Sequence, residues 1–169
     1  NARIRVSYPA TGTPTVVACS GDNFALRPAS FSSVTVSDAD SVTAGTARTL
    51  ANTAANGGHV HKAGRPFRMA ATAVNAAGVA TSNYAGSPAG SPVACVLPAV
   101  CTLGTFATGT WSAAAGTVTT TGASYSEVGA FSMRLADAGF AAVDAADGSS
   151  AAEMTIESGV FNVGRFVPD

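Results

Sequence analysis

Pro66-Phe67-Arg68-Met69-Ala70-Ala71-Thr72-Ala73 is the stretch that decides the fold. Side chains along an extended strand point alternately to opposite faces, so Phe67, Met69, Ala71 and Ala73 share one side and Arg68 and Thr72 the other. Such alternation marks an antiparallel strand with one packed and one wet face. Pro66 stands at its start, where a missing N–H removes no ladder bond. Immediately downstream, Asn75-Ala76-Ala77-Gly78 has the residues of a hairpin turn leading into residues 79–81, because Asn and Gly tolerate tight-turn backbone angles. Upstream, residues 3–8, 15–19 and 33–37 read as strands, with Pro9, Gly12 and Pro14 separating the first two. Further on, strands are expected at residues 92–97, 102–106, 109–112, 116–121, 129–135, 154–156 and 160–166. Within 129–135, Phe131, Met133 and Leu135 face away from Ser132 and Arg134. Residues 86–92 carry two Gly-Ser-Pro units and read as an exposed loop. Residues 136–146 are alanine-rich and read as a weak helical turn, opposed by Gly139 and Asp147-Gly148.

Many short strands with turns about every eight to twelve residues define an all-β chain, expected to be an immunoglobulin-like antiparallel β-sandwich with extra N-terminal strands and long loops. Such a sandwich takes about 100 residues, fewer than the 169 present. The surplus falls in residues 1–27 and 38–62. Residues 1–27 are read as lead-in strands that end an upstream domain, and residues 28–169 as the sandwich. The abrupt ends read as those of an excised segment, without a signal peptide in view.

Composition removes several function classes. Charged residues are 11% of the chain and the net charge is -1, so the basic field that attracts phosphates is missing. Nucleic acid and anionic membrane surfaces are not expected partners. The most apolar stretch, residues 93–101, is too short to cross a bilayer and is interrupted by Pro98, so no membrane span is expected in this segment.

Cys19, Cys95 and Cys101 are too few for a disulfide scaffold and odd in number. Cys95 and Cys101 enclose five residues that a bridge would staple, which leaves Cys19 buried or paired outside the segment. Three reduced core cysteines are the competing reading. His59 and His61 add imidazoles to a zinc reading, but the cysteine spacing is wider than in structural zinc sites. Gly57-Gly58-His59-Val60-His61 reads more simply as a solvated loop. No cofactor is expected; the weak calcium candidates are Asp38, Asp40, Asp144 and Asp147, which turn formation also explains.

Enzyme signatures are missing: Ser87 sits one place too early for a nucleophile elbow, and 104–109 lacks the Lys-Ser/Thr of a phosphate loop. Ser20, Asp22 and His59 form a triad only nominally. Lys62, the only lysine, could be read as an isopeptide lysine, but no partner for it is in sight in the sequence. Trp111, Tyr84 and Tyr125, with Phe106, are the aromatic candidates for stacking a sugar ring in a lectin-like site, with core packing as the alternative fate.

Several blocks carry a family resemblance. Residues 18–28 (Ala-Cys-Ser-Gly-Asp-Asn-Phe-Ala-Leu-Arg-Pro), 61–67, 83–86, 125–131 and above all Val163-Gly164-Arg165-Phe166-Val167-Pro168-Asp169 resemble, in order, a region of large secreted proteins related to the Q component of the mannose-sensitive haemagglutinin (MSHA) type IV pilus biogenesis cluster. The resemblance implies an extracellular, β-rich module of a pilus-associated or adhesin-like surface protein of a Gram-negative bacterium. It supplies no catalytic residues. The resulting expectation is a non-enzymatic structural and adhesion module whose partners are other domains of the same protein, pilus components, or surface glycans. A glycan-binding module is the alternative.

Overall fold

A computed structural model describes residues 2–22, 26–38 and 47–169. The chain divides into two compact units, residues 1–27 with 138–155, and residues 28–137 with 156–169. Residues 138–155, assigned from sequence to the sandwich, group instead with the N-terminal segment.

In the first unit, β1 (Arg5–Tyr8) and β2 (Val16–Cys19) form an antiparallel hairpin in which Val6 faces Ala18 and Tyr8 faces Val16. A 3-10 turn at Ala142–Asp147 ends at Gly148, which takes the left-handed conformation. The short helix α1 (Ala151–Met154) follows, and of the strand expected at residues 154–156 Met154 ends this helix while Ile156 begins the next strand. The start of α1 is fixed by a capping box: the Ser150 side chain accepts from the Glu153 N–H, and the Glu153 carboxylate accepts from the Ser150 N–H at 2.8 Å.

The second unit is all-β, with a sandwich architecture. Its strands are β3 (Ser30–Asp38), β4 (Arg48–Thr49), β5 (His61–Lys62), β6 (Phe67–Val74), β7 (Ala89–Leu97), β8 (Phe106–Ala107), β9 (Ser112–Ala114), β10 (Thr117–Tyr125), β11 (Gly129–Asp137), β12 (Ile156–Ser158) and β13 (Phe161–Val167). They hydrogen-bond in the order β5-β13-β11-β12-β3-β6-β10-β8, with β4 on β3, β7 on β11 and β9 on β10. Most pairings are antiparallel, as expected; β12–β3 and β13–β5 are parallel. β12 links the two layers, since β11 lies on one side of it and β3 on the other.

Alternation places the core as the sequence requires. Phe67, Met69, Ala71 and Ala73 of β6 are completely buried, and Phe131, Met133 and Leu135 of β11 join them in one cluster with Val118, Tyr125, Ile156, Val163 and Phe166. Small alanines leave room that aromatic rings fill: Tyr125 stacks on Phe131 at 3.9 Å, and Phe166 lies within 6.0 Å of Phe67, Tyr125 and Phe131.

Turn chemistry fixes the connections. The carboxamide oxygen of Asn75 accepts from the N–H groups of Ala77 and Val79, and Gly78 has φ +76°, which forms the expected hairpin turn. Residues 79–81 form only an isolated bridge, Val74 with Ala80. Ala115 and Gly116 both have positive φ between the paired residues Ala114 and Thr117, the signature of a type I′ turn. The expected loop at residues 86–92 is shorter, because β7 begins at Ala89 and includes Pro92. β7 pairs only with β11, and an edge strand accommodates a proline that a central strand would reject. Among the described residues, no helix is long and apolar enough to cross a membrane.

Candidate functional site

Cys95, in edge strand β7, forms a disulfide with Cys101, their Cα atoms 5.9 Å apart. The bridge staples the loop that follows β7, beside the start of β11, where Gly129 has φ +105° and a Cβ would collide with the Leu97 carbonyl. Cys19 is a free, exposed thiol in β2, not the buried one considered from sequence.

The three aromatics proposed to stack a sugar do other work. Tyr84 is buried and its hydroxyl donates to Asp137 Oδ2 at 2.6 Å. Burial, and then the hydrogen bond and charge of Asp137, hold its phenol far above the ordinary tyrosine range. Tyr125 is buried against Phe131, and its hydroxyl oxygen accepts from the Gly104 N–H at 2.9 Å. Trp111 is half-buried against the core and donates its indole N–H to the Pro88 carbonyl at 2.8 Å, anchoring the entry to β7. Tyr84 and Tyr125 therefore have no ring face for a ligand, which corrects the sequence-based assignment; core packing takes them because large apolar side chains are scarce here.

The metal candidates are also dispersed. Asp38 is fully buried at the end of β3, where its carboxylate pairs with Arg48 of β4 and takes a 3.0 Å contact from His61 Nδ1. His61 is buried with its ring edge-on to Phe67 and Phe166, whereas His59 is exposed outside any strand. A His-x-His pair on one strand face is thus not formed. Asp40 lies outside the described residues. Asp144 and Asp147 belong to the 3-10 turn, where the neighbouring charge of Asp22, then Asp144, pushes the Asp147 carboxyl upward. Among the described residues, no three of His, Cys, Asp and Glu gather so as to hold a metal ion. Ser20 uses its hydroxyl to donate to the Asp22 backbone carbonyl and to accept from the Ile4 N–H. Lys62 is exposed and ion-pairs with Asp169 at 2.8 Å, beside Arg65 at 2.9 Å. Hydrogen bonds from Arg65 and Lys62 hold the Asp169 carboxyl down at about 2. An exposed lysine against an ionised carboxylate has no drive to form an amide.

What the structure brings together is a cleft that no sequence motif announced. β12 follows the edge of β3 only as far as Phe31. That edge is taken up again by the Leu50 N–H, which donates to the Val36 carbonyl at 2.9 Å, and by β4 at Ser37. Ala51 bridges to Gly164 of β13. Between these two closures lies a cleft of about 380 Å³. Val34, Val36, Ala51 and Phe161 give it an apolar lining. Thr35, Thr49 and Asn162 add two hydroxyls and a carboxamide. Its β3 wall is bulged: the register against β6 shifts between Ser32 and Thr35, and Ser33 has φ +50°. A bulge bends the strand and re-aims its side chains, and a non-glycine residue in the left-handed region is a strained element of the kind found at ligand sites. A second groove, of about 300 Å³, is lined by Ser91, Val93, Arg134, Ala136 and Glu157; its two charges satisfy each other at 3.1 Å.

No family model, curated protein or solved structure matches this chain.

Proposed function

We propose that the chain is a non-enzymatic structural and adhesion module of a pilus-associated surface protein, exported by a Gram-negative bacterium. The observation that carries this reading is the Cys95–Cys101 disulfide, because such bonds form and persist in oxidising compartments and are rare in the cytosol. The sequence blocks at 18–28 and 163–169 add the resemblance to secreted pilus-cluster proteins. The module's work is mechanical: long ladders hold the two layers, the disulfide staples one edge, and buried polar ties such as Tyr84–Asp137 and Asp38–Arg48–His61 cross between segments distant in sequence. A glycan-binding role falls on the cleft between β3 and β13 rather than on Trp111, Tyr84 and Tyr125.

The test uses the exposed thiol of Cys19. A membrane-impermeant maleimide applied to intact cells that make the protein is expected to label Cys19 without lysis. Labelling that appears only after lysis would contradict surface display.

A further inference from the structure

We propose that the cleft between β3, β4 and β13 binds a single uncharged sugar ring. Among the described residues, no ionisable side chain lines the cleft, so an ionic ligand would leave water without a counter-charge from them, which is costly. The lining is divided in the way a pyranose is divided. Phe161 and Val34, both half-buried at the edge of the core, offer apolar surface to the C–H face of a ring, with the buried Val36 behind them. The carboxamide of Asn162 both donates and accepts, as do the hydroxyls of Thr35 and Thr49, which matches hydroxyl groups arranged around the rim. Small-molecule sites are mostly apolar with a few placed polar groups and span roughly 300 to 1,000 Å³. At about 380 Å³ this one sits at the small end, the size of one ring and not of a longer chain.

The shape of the opening separates a sugar from the other ligand that strand edges attract, an extended peptide. Peptides that add to a sheet need an open edge along which they enter and leave. Here β12 closes the β3 edge at Phe31, β4 closes it at Ser37, and Leu50, just after β4, closes it at Val36. Four residues, 32–35, remain, or about 13 Å of strand at about 3.3 Å each. The bulge at Ser33 further spoils that edge for pairing. A compact ring fits this window, and a through-running strand does not. The inference goes beyond the surface-module reading and does not depend on where the protein resides.

The experiment is amide chemical-shift mapping on the nitrogen-15-labelled full chain, with the methyl glycosides of glucose, galactose, mannose and N-acetylglucosamine added one at a time at millimolar concentration. The expected result is that at least one of them moves the amides of Val34, Thr35, Thr49 and Asn162. Asn162→Ala, at an exposed position, is expected to weaken that Kd about fivefold, the value of one neutral hydrogen bond, with an unchanged melting temperature. Phe161→Leu is expected to weaken it about tenfold; if that variant loses stability, the Asn162 variant alone decides. Silence of the cleft amides with all four glycosides, shifts confined to other surfaces, or an unchanged Kd in Asn162→Ala each overturns the proposal. A response to an alternating valine-threonine peptide and to none of the sugars would identify a strand-binding groove in its place.

Discussion

Strands β1 and β2 and strands β6 and β11 carry the same kind of alternating sequence, yet they meet opposite fates. In β6 and β11 the apolar side of the alternation is sealed inside the sandwich. In the hairpin, Ile4, Val6, Tyr8 and Val16 fall on one face by their pairing, and each is more than half exposed. Alternation specifies a strand with two unlike faces; what covers the apolar one is a property of the partner. A two-stranded ribbon alone is marginal in water, so the stability of this chain resides in the sandwich.

The comparison is broken or sharpened by substitution. Phe131→Ala removes a ring that packs against three others, Phe106, Tyr125 and Phe166, and is expected to cost about 3 to 5 kcal/mol in chemical denaturation. Val6→Ala, in the hairpin, is expected to change the same measurement by less than about 0.5 kcal/mol. Equal losses at the two positions would refute the contrast. Next in size is the disulfide. Replacing Cys95 and Cys101 by serine frees the loop between them, and loop-closure entropy gives a loss of about 2 to 3 kcal/mol, matched by adding reductant to the native protein.

Tyr84→Phe is expected to cost about 1.5 to 3 kcal/mol, since its hydroxyl donates to a carboxylate. The same pair predicts an alkaline limit. Because the folded state raises the Tyr84 pKa, its contribution is complete below the ordinary value of 10.0 and is lost as pH climbs above it. Ultraviolet absorbance is expected to detect Tyr84 ionisation only together with unfolding. The smallest effect concerns the exposed pairing of Asp169 with Arg65 and Lys62. Its folded pKa is depressed, so the contribution is present above the ordinary value of 3.8 and disappears as pH falls through about 2. Carbon NMR of the Asp169 carboxyl group is expected to give a midpoint near that value.

The period-two pattern made β6, β10, β11 and β13 legible, because it is written in neighbouring residues. Pairing was not, since β12 joining β3 in parallel depends on residues more than 120 positions apart. The Gly-Ser-Pro repeat masked the start of β7, residues 89–91, because how far an edge strand runs becomes visible only once the sheet order is known. The capping box at Ser150 and Glu153 is local too, but the helix it starts is only four residues long, too short to show a helical apolar period in the sequence. The spacing of Cys95 and Cys101 suggested a bridge but left three reduced cysteines as the competing reading, which the 5.9 Å approach of their Cα atoms decides. The aromatic candidates were misassigned for a compositional reason: with aromatics at 7% of an alanine-rich chain, the core claims Tyr84 and Tyr125 before any ligand does. The cleft had no local signal, as Thr35, Thr49 and Phe161 belong to segments that only the fold brings side by side.

The most direct measurement is the intact mass of the denatured, unreduced protein after thiol alkylation. An exported, disulfide-stapled module predicts one labelled thiol, mapping to Cys19, and the mass of one disulfide. Three labelled thiols would contradict the account, because the staple on β7 and the oxidising compartment it implies would both be lost.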